Sequence, residues 1–173
     1  MHLTTTETDI LVAGIPAAAA IIVGALAALT AYLANKRENR RQLYSEAVKA
    51  AVAWEEMLYR VRRRAQDEER DLVNRFHDVQ SDISYYRAWV GSESKHMQRS
   101  YDRLVRGVKK ATGELINAAW ADGVRPIPGN ALQGEAQPDL SSVVDAFLED
   151  VRSQLSPWFW RKLAVRSRNQ EEQ

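Results

Sequence analysis

Residues 35–90 contain neither Gly nor Pro, and that absence restricts the chain more than any motif in it. Fifty-six residues without a left-handed turn former or a missing backbone donor have few ways to reverse direction, so continuous helix is the expected form. Steps of three and four collect Tyr44, Ala47, Ala51, Trp54, Leu58, Val61, Ala65, Leu72, Phe76, Val79, Ile83, Tyr86 and Val90 into one apolar stripe, interrupted at Glu68 and Glu69, where a bend would belong. Gly91 then offers a helix stop and Ser92 a cap for a restart. A second stripe follows: Met97, Tyr101, Leu104, Val108, Ala111, Leu115 and Ala118. Two heptad helices joined so tightly predict an antiparallel hairpin over residues 35–121, turning near 91–92, with coiled-coil character. Opposite charges are expected to face across it. Asp67, Glu68, Glu69, Asp71, Asp78 and Asp82 lie on one arm, and Arg99, Arg103, Arg106, Lys109 and Lys110 on the other.

Residues 122–138 hold three Pro and three Gly and read as a linker. Asp139 or Ser141 can cap a third helix over residues 139–156, whose stripe is Leu140, Val144, Phe147, Val151 and Leu155. Residues 157–173 form an aromatic and basic tail. Trp158, Phe159, Trp160, Arg161 and Lys162 in it have the character of a membrane-interface anchor on anionic lipid of the inner leaflet, with completion of the bundle core or docking to a protein as the other readings.

Ahead of the hairpin, residues 10–34 carry no charge, while all 24 Lys and Arg come later. Such a run rises about 37 Å as a helix, against a hydrocarbon core of about 30 Å. The expectation is a transmembrane helix over 10–34 behind a short external segment, residues 1–9. Lys36, Arg37, Arg40, Arg41 and Lys49 follow the run and no base precedes it, which puts the N-terminus outside and residues 35–173 in the cytoplasm, at the cell inner membrane. Ala20, Gly24 and Ala28 recur every four residues, a small-residue spacing that suits self-association of such a helix. The expected fold is therefore all-α: one N-terminal transmembrane helix, then a cytoplasmic antiparallel hairpin or three-helix bundle.

Chemistry is sparse. The absence of Cys excludes a disulfide framework, a thiolate metal site and a cysteine nucleophile. Glu93 and His96 have the spacing of half a carboxylate-bridged di-iron site, but Asn74 stands where a second copy, before His77, would need an acid. No Gly-rich phosphate loop, zincin motif or nucleophile elbow occurs. No catalytic set, cofactor or metal is expected, and the chain reads as a non-enzyme. Arg60, Arg62, Arg63 and Arg64 form a basic run that could meet nucleic acid, yet Asp67, Glu68, Glu69 and Asp71 follow within two turns and would repel phosphate. Pairs at i,i+4, Arg63 with Asp67 and Arg64 with Glu68, offer a structural use.

Residues 44–64, YSEAVKAAVAWEEMLYRVRRR, resemble uncharacterised single-pass, membrane-anchored helical proteins of actinobacteria and their phages, through Tyr44, Ala47, Trp54, Glu55, Tyr59, Arg60 and the three arginines that follow. The resemblance brings no activity. A phage source would imply a role in superinfection exclusion, defence or lysis control. From the residues themselves the expected function is a membrane-anchored scaffold or adaptor that forms a homo-oligomer or recruits a protein partner, with contact through Tyr44, Trp54, Tyr59, Arg62, Arg63 and Arg64. A membrane-tethered nucleic-acid binder is the lesser alternative.

Overall fold

The computed structural model describes residues 5–65, 67–122, 137–156 and 158–169, with side chains from Ala20 onward except that of Phe159. Five helices account for nearly all of them: α1 (Thr5–Arg62), α2 (Glu69–Glu93), α3 (Lys95–Ala121), α4 (Ser141–Leu155) and α5 (Phe159–Arg168). No strand occurs among the described residues, so the all-α expectation holds. The chain divides into two units, residues 1–40 and residues 41–173, each taken by itself below.

In the first unit the described side chains, from Ala20 on, are solvent-exposed up to Asn39. The expected transmembrane helix over 10–34, and with it the single-pass placement in the inner membrane, does not hold: among the described residues no helix is long and apolar enough to cross a membrane. Ten of the 25 residues in the uncharged run are Ala, which add little apolar surface each, and charge resumes at Lys36. Residues 10–19 of the expected span lie outside the described side chains.

In the second unit, α2 packs on α3, α3 on α4, and α5 on both α4 and α3. The last turns of α1 join them through the stripe residues Tyr44, Ala47 and Ala51, which are buried in one core with Leu72, Val79, Ile83, Val90, Met97, Tyr101, Leu104, Val108, Phe147, Val151 and Val165. Rings fill its centre. Phe147 meets Tyr44 and Tyr101 edge to face, at 6.4 and 5.9 Å between centroids.

Helix 35–90 is not continuous: α1 ends at Arg62 and α2 begins at Glu69, where the apolar stripe lapses. The break is held by Arg64, which turns inward. Its guanidinium donates to the carbonyls of Val61 (2.7 Å), Ala119 (2.9 Å) and Trp120 (3.1 Å) and lies 4.6 Å from the Trp120 ring. The last carbonyls of α3 have no partner within their own helix, so a buried arginine there satisfies them and opposes the negative end of the helix dipole. The expected Arg64–Glu68 pair gives way to this use, and Glu68 Oε2 instead accepts from the Ala65 amide.

The hairpin turn falls two residues later than expected. Gly91 and Ser92 stay in α2; extended Ser94 makes the turn and its hydroxyl caps α3 at the Met97 amide. A Cβ at Gly91 would stand 2.8 Å from Gln98 Cδ, the far end of a flexible side chain that can move aside. Cross-hairpin charge also departs from expectation. Arg87 of α2 holds Asp102 of α3 with two hydrogen bonds, 2.6 and 3.0 Å, while Arg99, Arg103 and Lys109 reach α5, α4 and α1.

Candidate functional site

Three features of the second unit concentrate polar or exposed aromatic groups. The first is a buried node. Asp150 of α4 accepts from Ser100 Oγ (2.7 Å), Arg103 Nη2 (3.2 Å) and Asn169 Nδ2 (3.4 Å), and its other oxygen pairs with Arg168 Nη2 at 2.7 Å. One carboxylate thus joins α3, α4 and α5, and Arg99 Nη1 adds a bond to the Asn169 carbonyl (2.7 Å). A buried carboxylate with two guanidinium groups and two neutral donors is already saturated, so its chemistry is positional.

The second is an open cleft of about 430 Å³ where α1 stops and α2 starts, lined by Glu56, Tyr59, Arg60, Arg63, Glu68, Asp71, Leu72 and Arg75. Three acids and three arginines share it. Arg60 sits 3.6 Å from Glu56, and the Tyr59 hydroxyl donates to Glu55 at 3.5 Å. Burial and the neighbouring Glu55 carboxylate raise the Tyr59 phenol above its usual range, which keeps it a hydrogen-bond donor. Such a lining suits a polar, mixed-charge protein surface and holds no activated nucleophile. Among the described residues, no cluster of three His, Asp or Glu could hold a metal ion.

The third feature is aromatic exposure. Tyr85 and Trp89, one turn apart on α2 with ring centroids 6.2 Å apart, are 56% and 52% exposed. Trp158 and Trp160 stack at 4.8 Å and are 56% and 52% exposed, next to exposed Leu163. Rings of this size ordinarily bury in a core or an interface.

The residues expected to contact a partner divide between core and surface. Tyr44 and Arg64 are buried, and Trp54 is packed between the Phe76 ring (5.3 Å) and Lys109 Nζ (4.3 Å), so none of these three presents a free surface. Tyr59 and Arg63 line the cleft together; Arg62 is half-buried. Ala20, Gly24 and Ala28 are exposed in the first unit, and a Cβ on Gly24 would meet nothing within 4 Å. In the tail, Trp158, Trp160 and Arg161 are exposed and Lys162 is half-buried, while the Phe159 side chain lies outside the described residues. His96, the one His in a candidate metal pattern, is half-buried with Nδ1 unpartnered. Burial, then Arg166 and Arg99, lower its pKa.

Sequence reasoning missed Asp150 because its neighbours in the sequence give it no distinction; its partners come from 47–50 residues upstream in α3 and 18–19 residues downstream. It also missed the Tyr85 and Trp89 pair, whose i,i+4 spacing lies off the apolar stripe and was a legible sign of a second face. Neither a known family, nor a curated protein, nor a solved structure matches the chain.

Proposed function

We propose that this chain is a non-enzymatic helical scaffold that self-associates through α1 and presents its bundle to a protein partner. One observation carries the reading: Ile21, Ile22, Val23, Leu26, Leu29, Tyr32 and Leu33 each leave half or more of their surface exposed. Three consecutive residues of a helix point in directions spanning about 200°, so Ile21, Ile22 and Val23 alone show that no single face is apolar. A helix that is hydrophobic all round requires cover on several sides, and copies of itself can supply it, at roughly 1.5–3 kcal/mol for each large side chain fully buried. The cleft between α1 and α2, with Tyr59 and Arg63, is the partner surface of choice because its alternating charges pair with a polar protein segment. Buried polar groups support the non-enzymatic part: Asp150 and the two terminal nitrogens of Arg64 are engaged in joining helices.

Light scattering on the full chain over a range of concentrations tests this. A defined oligomer is expected, shifting toward monomer when Ile22→Lys, Leu26→Lys and Leu29→Lys are combined. A protein that stays monomeric at every concentration, with nothing bound, overturns the proposal.

A further inference from the structure

The two exposed aromatic surfaces carry opposite charge. On α2, Asp78, Asp82, Tyr85 and Trp89 follow one another at helical steps of four, three and four, all exposed, so they form one stripe. Arg75, one turn before Asp78, borders the stripe and lines the cleft with Glu56, Glu68 and Asp71, and Arg87 is bound to Asp102. On α5, by contrast, the ten residues hold Arg161, Lys162, Arg166 and Arg168 and no acid. Trp160 and Leu163, one turn apart, form an exposed ridge on it, extended by Trp158, with Arg161 and Arg166 exposed on either side.

We propose that the α5 ridge of one copy docks on the α2 stripe of a second copy. This rests on the reading of the chain as a self-associating scaffold and names the surfaces through which its bundles meet. Rings would cover rings, and Arg161 and Arg166 would approach Asp78 and Asp82, complementary charges that set orientation and suppress the α5-to-α5 and α2-to-α2 alternatives. Because the ridge and the stripe differ, a single such contact leaves the stripe of one copy and the ridge of the other free. Those two either close on each other in a twofold dimer or bind further copies in a ring or a chain.

The chain contains no Cys, so single thiols report the contact without background. Full-length Ser81→Cys, beside the stripe, is mixed with full-length Ala164→Cys, beside the ridge, under a glutathione redox buffer. The expected result is a mixed disulfide dimer severalfold more abundant than with the exposed control pair Ser81→Cys and Glu114→Cys, and weakened by salt. Adding Asp78→Arg and Asp82→Arg to the first protein should abolish it, and adding Arg161→Glu and Arg166→Glu to the second should restore it. No excess over control, or no recovery with the double charge swap, overturns the proposal. If light scattering still finds an oligomer in that case, the scaffold reading stands and these surfaces are not its interface. If the chain is monomeric as well, both fall.

Discussion

Gly107 has no side chain because Val143 occupies the place where one would go: a Cβ there would stand 2.6 Å from Val143 Cγ1 and 3.1 Å from its Cβ. A branched side chain fixed at χ1 cannot swing away, so α4 must move. Gly107→Ala is therefore expected to destabilise by about 1–3 kcal/mol, less the up to about 1 kcal/mol that Ala gains in helix propensity. Adding Val143→Ala should recover the packing part, as thermal or urea unfolding of the three variants would record. His96 gives a pH dependence. Its folded pKa is lowered by burial and by Arg166 and Arg99, so the unfolded chain binds the proton more tightly. The stability it contributes is complete above the ordinary His pKa of about 6.5 and is lost as pH falls through the lower folded value. The fall in Tm between pH 7 and pH 5 should be smaller in His96→Gln than in the natural chain, and an equal fall in both would refute this role. None of this is visible residue by residue in the sequence. Gly107 sits in an unbroken helical pattern, and of the two cations beside His96 the one with the larger effect, Arg166, comes from α5.

At the level of elements, local pattern carried far. Tyr44, Ala47, Ala51, Leu58 and Val61 of α1, and Leu72, Val79, Ile83 and Val90 of α2, are buried where the stripe requires. In α3 the strict stripe matches Met97, Tyr101, Leu104 and Val108 and then slips: the buried residues become Thr112 and Ile116 in place of Ala111 and Leu115. A helix of 3.6 residues per turn drifts about 20° per heptad, and without a supercoil to absorb the drift the buried face moves by one position. α5 marks the opposite case. Among its described side chains only Val165 and, at its C-terminal end, Asn169 are buried, and its hold on the bundle runs through Asp150. Asp150→Asn keeps the shape and the Ser100 contact but removes the charge that two guanidinium groups share. With Arg103 and Arg168 a third to a half exposed, they rehydrate, so the loss should be about 1–3 kcal/mol. Hydrogen exchange is expected to rise across residues 159–168 before it rises in α3; simultaneous loss of protection everywhere would mean that the node supports the whole bundle and not α5 in particular.

For the whole molecule, the expected consequence is an association that responds to two different perturbations. Lysines at positions 22, 26 and 29 should weaken it at any ionic strength because they disrupt apolar cover, whereas salt should weaken the α5-to-α2 contact alone, as charges at an exposed rim are screened over about 8–10 Å. Sedimentation of the natural and triple-lysine chains at low and high salt separates the two, and no response to salt together with no effect of the lysines would leave neither mechanism. By itself, the sequence determined that the chain is helical and which residues of α1, α2 and the first half of α3 are buried, and it marked a lapse of the stripe at Glu68 and Glu69 beside the α1–α2 break, because helix periodicity is a local property of the chain. Only the tertiary structure decided that Arg64 closes the end of α3, that Asp150 gathers Ser100, Arg103, Arg168 and Asn169, and that Arg99, Arg103 and Lys109 of α3 turn to the end of α5, to α4 and to α1. Those outcomes depend on which polar groups burial leaves without water, and that is settled only when helices distant in sequence close on one another.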